Sequence, residues 1–347
     1  AYLMKIARNE AYSVLRKRNA GKRKGMPMEL HETDCGINAM TIERYMDSRE
    51  IKRVMNDYLN GVSAEKYVIF RLRYAKCISI AQIACTLDVS ESKVKTTEQI
   101  EGIKASARIN IAVLDYVAEH IKAGISTEEI NGWVDSVTRE MGGIPAPLNY
   151  EGFPKSVCTS LNDEVCHGIP ADDIILKDGD IINVDVSTIY NGYFSDSSRM
   201  FCIGNVSEDK KKLVEVAKEC LDVGLKEVKP FTPLGNMSNA INTLAKSHGY
   251  SIVREIGGHG CGLEFHEEPW VGYTLPADTG MILAPGMCFT IEPMVNMGKA
   301  DIVQDDENGW TIYTEDGSPS AQWEIQVLVT EDGAEIISYC FQKSVAP

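Results

Sequence analysis

The chain has 347 residues, of which 44% are hydrophobic and 24% charged, with a formal net charge of −15. That apolar content excludes wholesale disorder, and no stretch approaches the ~20 apolar residues that span a bilayer. The charge is uneven: residues up to Thr96 hold 18 Lys and Arg against 11 Asp and Glu, a balance of +7, and the remainder carries −22. Such asymmetry points to two parts with different partners. The ten cysteines include no CxxC pair, which favours buried free thiols in a reducing, cytoplasmic compartment over a disulfide framework. The first residues, "AYLMKIARNEAY", show no basic, apolar and small-residue signal architecture.

The first part, residues 1–96, begins with apolar residues at helical spacing over Ala1–Asn19 and then turns basic, "RKRNAGKRK". Residues 20–42 are polar, with Gly, Pro and Asn, and read as a linker. Val68, Ile69, Leu72 and Tyr74 suit one packed helix. Ser79 can cap a short helix that turns Ile80, Ile83, Ala84 and Leu87 inward, and Ser90 can cap another after the turn at Asp88. That spacing is a helix-turn-helix. "FRLRYAKCISIAQIACTLDVSESKVKT" resembles the promoter-binding C-terminal region of small bacterial sigma factors, and "AYLMKIARNEAYSVLRKR" resembles the end of their other conserved region. The resemblance implies Ser92, Lys93 and Lys95 as contacts to a DNA backbone. Against a working promoter reader stand the missing front of the first region, the modest +7 and the continuation of the last helix into the next domain. A vestigial or structural appendage is the preferred reading.

The second part, residues 97–347, opens with a helix from Thr97 whose Ile100, Ile103, Ala107, Ile111, Leu114 and Ile121 lie near one face, closed by Gly124. A Ser126/Glu129 capping box starts a second helix. Further helices are predicted at about 208–228 and 235–248, the latter closed by Gly249, and strands at about 250–256, 287–291 and 323–329. Lys210–Lys212 reads as a solvated helix face, and His120 and His248 as surface or capping residues. The order predicts a mixed α+β layer with a possible internal duplication.

One hairpin stands out. In "IINVDVSTIY", Ile182, Val184 and Val186 share one face and Asn183, Asp185 and Ser187 the other. Asn191-Gly192 is a two-residue turn, so Tyr190 pairs with Tyr193, Ser187 with Asp196, and Asp185 with Ser198. Asp185 and Asp196 become diagonal neighbours on one face, able to converge on a shared cation. Elsewhere His259 sits in a Gly-rich turn, and Glu292 and Glu324 interrupt otherwise core-like strands. Buried carboxylates require positive charge. Four carboxylates and one imidazole suit a two-cation site better than a single zinc.

From about Thr97 to 340 the chain resembles the type I methionine aminopeptidases. The resemblance rests on "PAPLNYEGFPKSVCTSLNDEVCHGIP", "DGDIINVDVSTIYNGYFSDSSRMF", "GGHGCGLEFHEEP", "PGMCFTIEPM" and "DGSPSAQWEIQVLVTEDG", in that order. It implies the pita-bread fold: a curved, mostly antiparallel sheet backed by helices, with pseudo-twofold halves. It implies Asp185, Asp196, His259, Glu292 and Glu324 as ligands of two divalent metal ions (Co, Mn, Fe or Zn), with Asp196 and Glu324 bridging and a metal-activated hydroxide as nucleophile. Glu292 would carry the proton, His266 would hold the scissile carbonyl and His167 the peptide nitrogen beyond it. Tyr150, Phe153, Cys158, Phe265 and Trp310 would wall the methionine pocket. The implied activity is removal of initiator methionine from nascent chains near the ribosome, with small second residues favoured.

Some positions depart from the family pattern. Ile325 stands where His is frequent, Ser195 where Gly is frequent, Glu151 replaces His or Asn, and Cys261 replaces an apolar residue. Three other readings remain: an Xaa-Pro peptidase of the same fold, a non-catalytic binding module, and promoter binding by the first part.

Overall fold

The computed structural model describes residues 94–338. The helical segment, linker and helix-turn-helix expected earlier in the chain lie outside the described residues, as do Ser92 and Lys93. Lys95 does not. Val94 forms a β-bridge with Met287, and the Lys95 N–H donates to the Gly286 carbonyl at 2.7 Å. The Lys95 side chain is fully buried and paired with Glu267 at 2.7 Å. Lys95 is therefore neither helical nor available to a DNA backbone.

Helix α1 (Thr97–His120) is set by a capping box: the Thr96 hydroxyl accepts from Gln99 N–H and the Gln99 amide oxygen accepts from Thr96 N–H. Its buried face holds Ile103, Ala107, Ile109, Val113, Leu114 and Val117, while Ile111 is only half-buried. The helix stops at His120, before Gly124, because Ile121 is extended. Helix α2 (Thr127–Glu140) starts at the expected Ser126/Glu129 box.

The first sheet has strand β1 (Ile144–Pro145), strand β2 (Cys158–Leu161) and the hairpin strands β4 (Ile181–Tyr190) and β5 (Tyr193–Cys202), all paired antiparallel. The Asn191-Gly192 turn has both residues at positive φ, 51° and 81°, and the register matches the sequence expectation at each of the three pairs named above. Ile182, Val184 and Val186 pack on Val113, Leu114, Ile130 and Val134 of the two helices. Nearer the turn this face of β5 carries Ser197 and Ser195, so α1 answers it there with buried polar groups. Asn110 donates to Ser197 at 2.7 Å, and Ser106 lies 3.0 Å from the Ser195 hydroxyl. Ser195, where glycine is frequent in the resembling family, thus has a partner.

Strand β3 (Glu164–Cys166) joins β11 (Ile302–Gln304) and β12 (Ile312–Thr314) in a second small sheet. Helices α3 (Glu208–Glu227) and α4 (Leu234–Ser247) pack together, with His248 at the α4 C-cap. Lys210 is not a solvated residue of α3: its ammonium donates to Asn162 Oδ1 at 2.7 Å and to the Gly179 carbonyl at 3.0 Å. Beside α4 runs β6 (Ser251–Ile252), paired with β10 (Met294–Asn296), which also pairs β13 (Ser320–Gln322). A five-stranded antiparallel sheet completes the unit: β15 (Ala334–Ile336), β14 (Ile325–Val329), β9 (Cys288–Ile291), β7 (Gly258–Gly260) and β8 (Glu267–Val271). Its strands Cys288–Ile291 and Ile325–Val329 are buried at every position.

Candidate active site

Backbone pairing lines up the acidic residues. Asp185 faces Ser198 across the hairpin. Ser198 and Glu324 exchange two backbone hydrogen bonds of 3.3 Å each, which staples the hairpin to the five-stranded sheet. Ile325 pairs with Ile291, so Glu324 and Glu292 come next in the same register. Strand alternation then turns Ile325 away from the acidic row and into the core, where it is 2% exposed. The row Asp185, Ser198, Glu324, Glu292 crosses from one sheet to the other, with Asp196 two residues along β5.

His259 completes the set from β7. Its Nε2 lies 3.6 Å from Asp196 Oδ2 and 3.7 Å from Glu292 Oε1. Asp196, His259 and Glu324 offer ligand atoms that all lie within 4.8 Å of one another. The Nδ1 of His259 is 3.0 Å from the Gly260 carbonyl. A carbonyl only accepts, so Nδ1 carries the proton and the Nε2 lone pair faces the carboxylates. Burial, helped by His266, holds the His259 imidazole down to about 3, so it stays neutral. Asp196, Glu292 and Glu324 are buried, while Asp185 and His259 are half-buried, so the cluster opens outward on their side.

The carboxylates crowd one another. Burial and the Glu292 charge push Asp185 up to about 7. Burial also raises Glu292 to about 8, against hydrogen bonds that favour its charged form and with the Asp196 charge adding to the rise. Asp196 and Glu324 are raised well above the usual carboxylate range, by burial first and then by their acidic neighbours. Asp185 Oδ1 is buried without a hydrogen-bond partner. An imidazole lone pair, an orphaned carboxylate oxygen and four mutually repelling acids fit divalent cations better than they fit one another.

Around these acids stand hydrogen-bonding groups. Thr290 donates to Glu292 Oε1 at 2.6 Å and Gln322 Nε2 donates to Oε2 at 3.0 Å. Tyr273, fully buried on its ring, accepts the Glu292 N–H at 2.7 Å. Ser187 donates to Asp196 Oδ1 at 2.8 Å. Ser187 stands opposite Asp196 as the hairpin register predicts, and Thr290 was legible in principle, lying two residues from Glu292 on the same strand face.

The expected pocket residues fall into two aromatic groups. A cleft of about 460 Å³ takes Tyr150, Phe265 and His266, with Leu148, Ile189 and Phe194, which had been missed. Tyr150 meets Phe265 edge-on at 4.8 Å, and the His266 ring is 4.1 Å from that of His259. Phe153 and His167 form the other group, meeting Trp310 edge-on at 5.3 and 6.2 Å. His167 has a positive φ of 57° and, through burial, a pKa lowered to about 4. Cys158 is buried on β2 opposite Asp185. Glu151 is exposed in a tight turn with φ 48°, and Cys261 is fully buried, its carbonyl accepting from Gln326.

The fold and this acid–imidazole cluster define a metallopeptidase. Residues 101–331 match the model of metallopeptidase family M24, and the chain belongs to that family. Within it the chain groups with the methionine aminopeptidases. It is 45% identical to the methionine aminopeptidase of Haemophilus influenzae over 71% of this chain and 92% of that protein. Identity to the Escherichia coli K12 methionine aminopeptidase is 43%, over 71% and 93%. The crystal structure of the Rickettsia prowazekii methionine aminopeptidase superposes with TM-score 0.70 at 40% identity, covering 71% of this chain and 99% of that one. The prolidase of Pyrococcus furiosus, at 23% identity and TM-score 0.58, shares the fold. The architecture is the pita-bread fold, the chain is a metalloaminopeptidase, and its family uses divalent metal ions. Among the described residues no helix is long and apolar enough to cross a membrane.

Proposed function

We propose that this chain removes the initiator methionine from nascent polypeptides, favouring a small second residue. The observation that carries the reading is the convergence of Asp185, Asp196, His259, Glu292 and Glu324 beside an aromatic cleft. These five would hold two divalent ions. Bound there, the ions would act as Lewis acids and bring a water pKa toward neutrality.

The remaining work falls to the chain. Glu292, its two oxygens oriented by Thr290 and Gln322, takes the proton of the attacking water and returns it to the leaving amine. His266 donates to the carbonyl oxygen as charge develops there, and His167 orients the peptide nitrogen beyond it. Tyr150 and Phe265 enclose an unbranched thioether, with Phe153 and Trp310 completing the wall; an apolar pocket suits it. A promoter-reading role for residues 1–96 loses one of its three contact residues, since Lys95 is buried.

The test is methionine release from Met-Ala-Ser, Met-Lys-Ser and Ala-Pro by metal-stripped protein given Mn, Co, Fe or Zn in turn. Metal-dependent release from Met-Ala-Ser alone supports the proposal. Cleavage of Ala-Pro instead moves the chain to proline-specific chemistry, and no release with any metal overturns an enzymatic role.

A further inference from the structure

The buried ion pair between Lys95 and Glu267 lies outside the acid–imidazole cluster. Lys95 Nζ is 2.7 Å from Glu267 Oε1, and the two side chains are 0% and 4% exposed. The same Oε1 accepts the Leu263 N–H at 3.2 Å. One carboxylate oxygen therefore closes the loop 263–267 at both ends, and that loop carries Phe265 and His266. Lys95 is itself fixed by its N–H to the Gly286 carbonyl and by the Val94–Met287 bridge. Its stem passes under the loop: a Cβ on Gly262 would meet Lys95 Cε at 3.3 Å. From the other side the Gly262 carbonyl accepts the Phe194 N–H of β5 at 2.9 Å.

Stability alone is a poor reason to keep such a pair. Stripping water from both ions costs about as much as their attraction returns, and apolar substitutes are often as stable. What the pair supplies is placement. Ion and amide together fix where the loop crosses the floor of the cleft, and so where the His266 ring sits relative to His259, 4.1 Å away. We infer that Lys95 is a positioning residue of the peptidase, acting through Glu267 to hold the loop that presents Phe265 and His266. The inference rests on the function proposed above for those two residues. A misplacement of about 1 Å in a reacting group can lower a rate ~100-fold.

The experiment compares wild type, Lys95→Met and Glu267→Gln as full-length, Mn-loaded proteins. Three quantities are measured: bound Mn, Met-Ala-Ser kinetics and amide hydrogen exchange across residues 262–268. We expect kcat per metal-loaded molecule to fall roughly 10- to 100-fold with a smaller change in KM, because His266 acts on charge that develops in the transition state. Amides of the loop should exchange faster while those of Ile325–Val329 keep their protection. Glu267→Gln, nearly isosteric, carries the same test should Lys95→Met not fold. Unchanged kcat and unchanged loop exchange overturn the inference. So does a lowered melting temperature with kcat of the folded fraction intact, which would make the pair structural. If wild type releases no methionine, the functional reading fails, and the loop exchange alone still decides whether Lys95 holds the loop.

Discussion

The β4–β5 hairpin and the five-stranded sheet deliver the same kind of side chain to one cluster by opposite routes. The hairpin places Asp185 and Asp196 locally: a two-residue turn fixes the register, and the register fixes the diagonal. The sheet places His259, Glu292 and Glu324 through pairings between segments far apart in sequence, joined to the hairpin by the Ser198–Glu324 bridge. The local route tolerates change in its turn. The non-local route adds hydrogen bonds from Thr290 and Gln322 that hold Glu292 after the strands have met.

The largest effect is expected where the two routes touch. Asp196 lies on the hairpin yet reaches His259 of the sheet, 3.6 Å away. Asp196→Asn should lower metal-dependent methionine release by three orders of magnitude or more, on the order of the several kcal/mol that metal-borne charge stabilisation supplies. The metal-free variant should also melt higher than metal-free wild type, because one of four crowded acids is gone. Kinetics and calorimetry on stripped and reloaded protein check both. Next come the sheet's supporting donors: Thr290→Ala or Gln322→Ala, each removing one hydrogen bond to Glu292, should cost roughly 10- to 100-fold in metal affinity or activity.

pH separates metal-free from metal-bound protein. Asp185 and Glu292 sit at about 7 and about 8 in the fold, against ordinary values of 3.8 and 4.5. Raised folded values mean that their stabilising contribution is full below about pH 4 and is lost as pH rises through 7 and 8. His259 and His167, lowered to about 3 and about 4, contribute fully above their ordinary 6.5, so they are level over that range. Between about pH 6.5 and 8.5 the stripped protein should therefore lose several degrees of melting temperature. Apparent metal affinity should rise over the same range as protons stop competing. The smallest effect belongs to the local route. Gly192→Ala, at φ 81° with open space around its Cβ, should cost about 1 kcal/mol in a denaturation curve and leave kcat unchanged.

The same division explains what was legible in the sequence. Alternation and the Asn191-Gly192 turn were enough for the hairpin, down to which residues face each other. The Ser126/Glu129 box was also legible, because its partners are three residues apart. Periodicity placed Glu292 and Glu324 in core-like strands but could not make them neighbours; only resemblance to known motifs did that. Thr290, Gln322 and Tyr273 carry ordinary side chains whose importance arises from contact. Ile111 was placed inward by a stripe that ignored the polar face of β5, which α1 answers with Ser106 and Asn110. Lys95 misled because it lies in the stretch that resembles a recognition helix, and charge in a sequence does not disclose a buried partner 172 positions later at Glu267.

The central claim is that the two regions converge to hold divalent cations. Anomalous scattering from crystals of the Mn-loaded protein tests it most directly. The account predicts two peaks among the carboxylates, with Asp196 and Glu324 contacting both and His259 Nε2 contacting one. Absence of density there from protein that binds Mn in solution, or density at another site alone, would contradict it.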